Sequence, residues 1–517
     1  MGIATLVLLT ASSAAALQDA QIGAKADILE LVESGEESGL VDAIRRDADE
    51  ARKSLHRLLR LSVEAATAEE RVRRLLQAER LAQAYLTAWS DSFLVHGVER
   101  FENWSRGERD DKLQADSVRL AGVEAFYREG PDAAMRLWQA SLTQYQALAD
   151  PAGQATALGN LGAGYYVQGE LERALRYYTR SFELAEAAGD RRTQGNALGN
   201  IASVYKDQGE FVRAAEYYKR ARETRPLTGD RRGEAADLNN LGLIQQALGD
   251  LESAERDFRR ALDLNRSDGR DRPAGANLTN LANLAAITGD YDAALRFYQE
   301  ALSVRRESGD RRGEALDLQN MGQLHLRRGD YAAALRSLEA ALDIVSEVGP
   351  EIRGAEVRSD LAAVQTAMGH LDAALEELDQ AEAAASDDEY FGPAVTLQRA
   401  DLFVELGEYE AASELYRQAQ LGYRQLEDVA GQAEALQGLA FLSQIRGDYS
   451  AAEEAYTRAL LIQEALPDPR PAALTRTLLG DAQLLAGDSA SARSSYGRAL
   501  TTFQQLGDVV AEARVLG

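Results

Sequence analysis

A glycine recurs at Gly169, Gly209, Gly249, Gly289, Gly329 and Gly369, each step being 40 residues, and again at Gly407, Gly447 and Gly487 after one step of 38. Independent domains do not place one residue type at so fixed a period, whereas stacked copies of one supersecondary unit do. Forty residues hold a helix, a turn, a second helix and a connector. The 517 residues therefore form a repeat array rather than the three or four compact domains that length alone suggests.

One unit, Thr193 to Gly229, shows why the repeat is helical. Leu198, Ile201, Ala202 and Tyr205 lie on one stripe of a first helix. Gly209 ends that helix, because glycine enters the left-handed C-cap conformation without steric cost. Phe211, Ala214, Ala215, Tyr218 and Ala221 then line one face of a second helix. Seven residues before each turn glycine the side chain is always small, at Gly162, Ala202, Gly242, Ala282, Gly322, Ala362, Ala400, Ala440 and Gly480. Five after it stands alanine, from Ala174 to Ala492, and nine after it a bulky residue: Tyr178, Tyr218, Phe258, Tyr298, Leu338, Leu378, Tyr416, Tyr456 or Tyr496. Small residues admit close helix approach and the bulky one fills the gap, so each unit packs as a hairpin. A hairpin cannot bury both faces alone, so neighbours must stack.

These positions resemble tetratricopeptide repeats in an elongated 40-residue form, similar to those of kinesin light chains and many bacterial signalling proteins. The resemblance runs from Lys112 onward and implies an all-α fold, a right-handed superhelical α-solenoid of stacked antiparallel helix hairpins. A degenerate unit at 112–150 precedes the regular ones, with Ala134, Trp138 and Ser141 standing 40 residues before Ala174, Tyr178 and Ser181 and a Gly130-Pro131 turn. The regular array covers 151–386 and continues over 387–506, with a kink or seam expected at Ser386 to Gly392, where the 38-residue step falls. Residues 507–517 begin a further, incomplete repeat.

Before the array, 17–111 is expected to form two or three long helices that cap it, on the spacing of Leu55, Leu58, Leu59, Ser62 and Val63 and, more loosely, of Val72, Leu75, Leu76, Glu79 and Leu86. Residues 1–16 end an apolar run in Ala14-Ala15-Ala16 and read as a signal peptide, although no basic residue precedes the run. That reading implies export to the periplasm or beyond; without it the chain is cytoplasmic. The run is too short to span a bilayer and no other stretch reaches the necessary length, so no integral membrane segment is expected.

The connectors repeat Gly-Asp-Arg-Arg at Gly189, Gly229 and Gly309. Aspartate is a favoured N-cap. The arginines oppose the helix dipole, so bridges to neighbouring acidic residues are their expected role, with anion sites as the alternative.

Several functions are excluded. With 83 acidic against 57 basic residues, the net charge of −26 repels nucleic acid. The absence of cysteine rules out disulfides, thiolate catalysis and thiolate metal sites. His56, His96, His325 and His370 form no metal-binding spacing. No nucleophile elbow, kinase signature or phosphate-binding loop is present. No catalytic residue and no cofactor is assigned.

The informative feature is a row of amides nine residues before successive turn glycines: Asn160, Asn200, Asn240, Asn280 and Asn320, followed by Asp360 and Gln398. Asn196, Asn200, Ser203 and Asp207, spaced 4, 3 and 4, define a polar stripe beside the core stripe. The family resemblance implies that this stripe lines a concave groove that binds peptides. An amide both donates and accepts, so a row of amides suits a peptide backbone of any sequence. Tyr166, Lys206, Asn239, Gln246, Asn283, Gln323 and Arg327 would then set specificity. Equally, each amide can tie its hairpin to the next, and both readings stay open.

The expected function is a non-catalytic scaffold for a protein or peptide partner. A second reading rests on Arg80-Leu81, Trp89-Ser90-Asp91-Ser92-Phe93 and Asp116 to Gly122, which resemble the amino-terminal part of bacterial proteins joining such repeats to a caspase-like CHAT peptidase domain. It implies a sensing arm whose enzyme lies beyond residue 517. The helix begun at Val509 lacks a partner, so end-to-end self-association is a further expectation.

Overall fold

The computed structural model describes residues 28–348, 351–384, 391–466, 469–506 and 509–516. The expected signal peptide, the acidic connector at 385–390 and Gly507-Asp508 lie outside the described residues. Among the described residues every element is a helix. The chain divides into two compact units that meet between Gln245 and Gln246.

The first unit opens with five helices, Ile28–Ser34, Glu37–Arg46, Ala48–Glu64, Ala68–Trp89 and Phe93–Asn103, where the sequence suggested two or three. The interruptions come from side chains that start new helices: Asp47 accepts the Glu50 N–H and Thr67 accepts the Glu70 N–H. The looser of the two apolar stripes is also corrected. Val72 and Leu76 are exposed, and the helix instead buries Ala78, Leu81, Ala82, Ala84 and Tyr85, because small residues allow its close approach to Ala48–Glu64.

Three hairpins follow, Arg106–Arg128 with Pro131–Ala147, Pro151–Val167 with Leu171–Ala188, and Arg191–Asp207 with Phe211–Thr224. The first begins before Lys112, because Ser105 and Glu108 form a reciprocal capping box. The five leading helices lie against the hairpin connectors. The Tyr85 hydroxyl donates to the Thr228 carbonyl at 2.7 Å, and the Trp89 ring covers Gly229 so closely that a Cβ there would lie 2.5 Å from it. Arg192 pairs with Asp49, and Arg191 reaches the Ser90 carbonyl at 3.4 Å. In the second unit Arg311 pairs with Glu314 and Glu347 at 2.8 and 3.0 Å. These connector arginines are bridges.

The second unit continues from Leu251–Ser267 with the hairpins Asp271–Ile287/Tyr291–Glu307, Arg311–Arg327/Tyr331–Val348, Glu351–Ala367/Leu371–Ala384, Gly392–Glu405/Tyr409–Gln425, Val429–Ile445/Tyr449–Gln463 and Pro469–Leu485/Ser489–Leu506. The helix Val509–Leu516 follows.

All nine turn glycines have φ between 75° and 86°, the region that side chains disfavour. At the first of them the Gly169 N–H donates to the Tyr166 carbonyl and the Glu170 N–H to the Tyr165 carbonyl, which satisfies the carbonyls a helix end leaves open. The alanines five residues later are all buried. The small and bulky positions meet: a Cβ on Gly162 would lie 2.7 Å from the Tyr178 ring, and one on Gly322 would lie 2.5 Å from Leu338 Cγ. Each unit is thus an all-α solenoid built from interlocking pairs.

Between hairpins the packing uses a different rule. A residue sixteen after a turn glycine faces the one twelve further on, in the next first helix. In the first unit this pair is Arg225 and Asp237, both fully buried and joined at 2.8 Å. In the second it is Asn265 with Asn277 at 2.7 Å, Arg305 with Asp317 at 2.6 Å, and Gln463 with Thr475. Arg225 also bonds Asp230 at 2.6 Å, the Gly195 carbonyl at 3.1 Å and Asn196 at 2.6 Å. A side chain on Gly233 would place its Cβ 2.6 Å from the guanidinium.

Candidate functional site

The stripe 13, 9, 6 and 2 residues before each turn glycine runs along the first helices beside the buried face. In the first unit Asn160 is buried and its Nδ2 has no hydrogen-bond partner. Asn200 and Asn239 are half-buried. Asn240 is buried and bonds the Tyr218 hydroxyl, which Ser203 also meets at 2.6 Å. Tyr166 donates its hydroxyl to Asp207, and Lys206 lies 3.5 Å from the same carboxylate. Asp207 thus gathers Tyr166 and Lys206.

In the second unit Gln246, Asn280 and Asn320 are half-buried and Arg327 is exposed. Asn283 accepts the Tyr298 hydroxyl. Gln323 donates to Asp360 at 2.9 and 3.0 Å, and Gln319 donates to it at 2.7 Å. Ser359 donates to Gln398. At Asp360 and Gln398 the row therefore ties one first helix to the preceding one.

The electrostatics of that tie have a consequence for stability. Burial pushes the Asp360 carboxyl up to about 6, against the two glutamine hydrogen bonds that favour its charged form. Burial also lifts Asp237 and Asp317 to about 6 despite their arginines. Burial alone would raise Asp230 too, but Arg225 and Arg192 hold it well below the usual carboxylate range. A carboxyl raised on folding contributes stability that is whole below its unfolded value and lost as pH rises through its folded one. For Asp360 that window runs from about 4 to about 6. Asp360→Asn is expected to melt close to the parent at pH 4 and to exceed it by roughly 2 kcal/mol at pH 7. Thermal melts of both proteins across that range check this, and parallel curves would refute the assignment.

A regular phenol contact was missed in the sequence although its spacing is readable there. The tyrosine nine after a turn glycine bonds the residue six before it: Tyr218 with Ser203, Tyr298 with Asn283, Tyr416 with Asp401 at 2.5 Å and Tyr496 with Asp481 at 2.6 Å. Each pair is 15 residues apart. Four of the six tyrosines at this position are satisfied in this way; Tyr178 and Tyr456 stand opposite Ala163 and Phe441, which offer no side-chain partner.

A family model for the tetratricopeptide repeat matches residues 153–226, 193–267, 273–347, 314–387 and 431–505, more than half of the chain. The chain belongs to the tetratricopeptide repeat family. Repeats of this family build protein-interaction scaffolds, and this chain carries that scaffold through both units. Among solved structures it is similar to the apo form of RapI, at 13% identity with a TM-score of 0.55, covering 68% of this chain and 98% of that one. It is also similar to the apo form of the quorum sensor NprR from B. thuringiensis, at 13% identity with a TM-score of 0.51 and the same coverage. At such identity the likeness is one of fold. No curated protein sequence matches the chain.

Among the described residues of this tetratricopeptide repeat protein no group of three His, Cys, Asp or Glu is placed to hold a metal ion. Nor is any of its described helices long and apolar enough to cross a membrane. Its histidines are dispersed. His56 sits 3.3 Å from Asp116 and His325 lies 3.8 Å from Asp330.

Proposed function

We propose that the first-helix stripe of each unit is a wall on which another polypeptide docks. In the first unit Asn160, Asn200 and Asn240 would pair with the backbone of an extended peptide, and in the second Asn280 and Asn320 would do so. Tyr166, Lys206 and Asn239 flank the first row, and Gln246, Asn283, Gln323 and Arg327 flank the second. The observation that carries this reading is that Asn200 and Asn320 keep part of their amides open to solvent on the first-helix stripe of the two units, where an amide can both donate to and accept from a peptide backbone.

Site-specific photo-crosslinking in the source cells tests the reading. A crosslinker replacing Asn200 or Asn320 is expected to give adducts with a partner polypeptide, and one replacing the exposed outer residues Thr179 or Gln299 is not. Adducts confined to the outer positions, or none from either stripe, would reject it.

A further inference from the structure

The stripe changes character in the last three hairpins of the second unit. Where five earlier hairpins carry asparagine nine residues before the turn, these carry Gln398, Gly438 and Leu478, so that the amide is lost from the last two. Around them the stripe exposes large apolar side chains: Phe441 is 40% exposed, Ile445 41%, Leu474 37% and Leu485 55%. The stripe positions of these three hairpins include Glu405, Glu434, Asp401 and Asp481 and no lysine or arginine.

Phe441 is unfavourable to the isolated fold on two counts. It exposes an aromatic ring, and it occupies the position that supplies the phenol acceptor in four other hairpins. The fully buried Tyr456 hydroxyl accordingly has no partner. An apolar surface with these two penalties at its centre is one that gains from being covered.

What covers it is limited by what the surface lacks. With glycine and leucine in two of its three amide positions, it cannot pair with the backbone groups of an extended chain. A segment docked there must satisfy its own backbone hydrogen bonds, as a helix does. Its side chains must present an apolar face to Phe441, Ile445, Leu474 and Leu485. Beside that face they must offer cations, since Glu405 and Glu434 are exposed and face no basic residue of the stripe.

We infer that the first helices of the hairpins between Gly392 and Leu506 form a docking face for a cationic amphipathic helix of a partner protein. The inference rests on reading the stripe as a binding wall and adds the chemistry of the occupant at this end of it.

The test uses the full 517-residue chain and two labelled 18-residue probes, one an amphipathic helix of leucine and lysine, the other with glutamate for every lysine. Fluorescence anisotropy is expected to show at least tenfold tighter binding of the lysine probe, weakened by salt. Phe441→Asn restores an acceptor for Tyr456, as Asn283 serves Tyr298, so this variant should melt no lower than the parent while binding the lysine probe at least tenfold more weakly. Glu405→Gln with Glu434→Gln should weaken it as well, and Thr179→Ala with Gln299→Ala, on the exposed outer face, should leave it unchanged. Equal binding of both probes, binding of neither, or an unaltered affinity in Phe441→Asn would overturn the inference. If crosslinks from Asn200 or Asn320 persist alongside such a result, only the occupant is wrong; if they too are absent, the wall itself is.

Discussion

Replacing Arg225 by alanine is expected to destabilise the first unit by about 3–5 kcal/mol, measured by urea denaturation. The guanidinium is fully buried and bonds two carboxylates, Asp237 at 2.8 Å and Asp230 at 2.6 Å. Its removal leaves Asp237 charged or protonated in a dry interior with no cation. Removing both members, as in Arg225→Met with Asp237→Leu, should recover most of the loss, because an apolar pair of similar volume needs no desolvation. If the single and double variants fall equally, packing around the three glycines Gly195, Gly199 and Gly233, and not charge, accounts for the effect.

Phe258→Ala is expected to cost about 3–5 kcal/mol, and the loss should be local. The ring is fully buried in a cluster with Ala254, Leu262, Leu278 and Leu281. In a stacked array each hairpin is stabilised chiefly by its immediate neighbours. Hydrogen exchange should therefore show lost protection in Leu251–Ser267 and Asp271–Ile287 and retained protection in Val429–Ile445 and Tyr449–Gln463. A uniform loss across the second unit would mean that it unfolds as one cooperative body.

The contrast between what the sequence disclosed and what it hid follows from where each contact is made. The turn glycine, the small residue seven before it, the alanine five after and the bulky residue nine after all meet inside one hairpin. The same geometry recurs, so the same residue types recur, and the period exposes them. The contacts between hairpins need only complementary partners. Tyr145 clusters with Ala157, Arg225 pairs with Asp237, Asn265 with Asn277, and Val345 clusters with Val357. Because the chemistry changes from one junction to the next, and the Arg–Asp pair recurs only at Arg225–Asp237 and Arg305–Asp317, the 40-residue period does not reveal it. The leading helices were less legible for a related reason: Tyr85 meets Thr228 and Asp49 meets Arg192 across long separations with no internal copy for comparison. The amide row was visible as spacing, but the divided use of its rungs was not. That depends on which neighbour each side chain meets, as Gln319 and Gln323 meet Asp360.

The alternation of partners between hairpins bears on how such an array can change in length. Excising 40 residues after Arg225 brings Asn277 into the place of Asp237, and the guanidinium is left facing an amide. Excising 80 brings Asp317 there, and a carboxylate again meets the arginine. The Arg225 and Arg305 junctions, two hairpins apart, thus carry interchangeable surfaces, so the stretch between them is expected to tolerate loss of two modules, whereas loss of one leaves a buried cation without its anion.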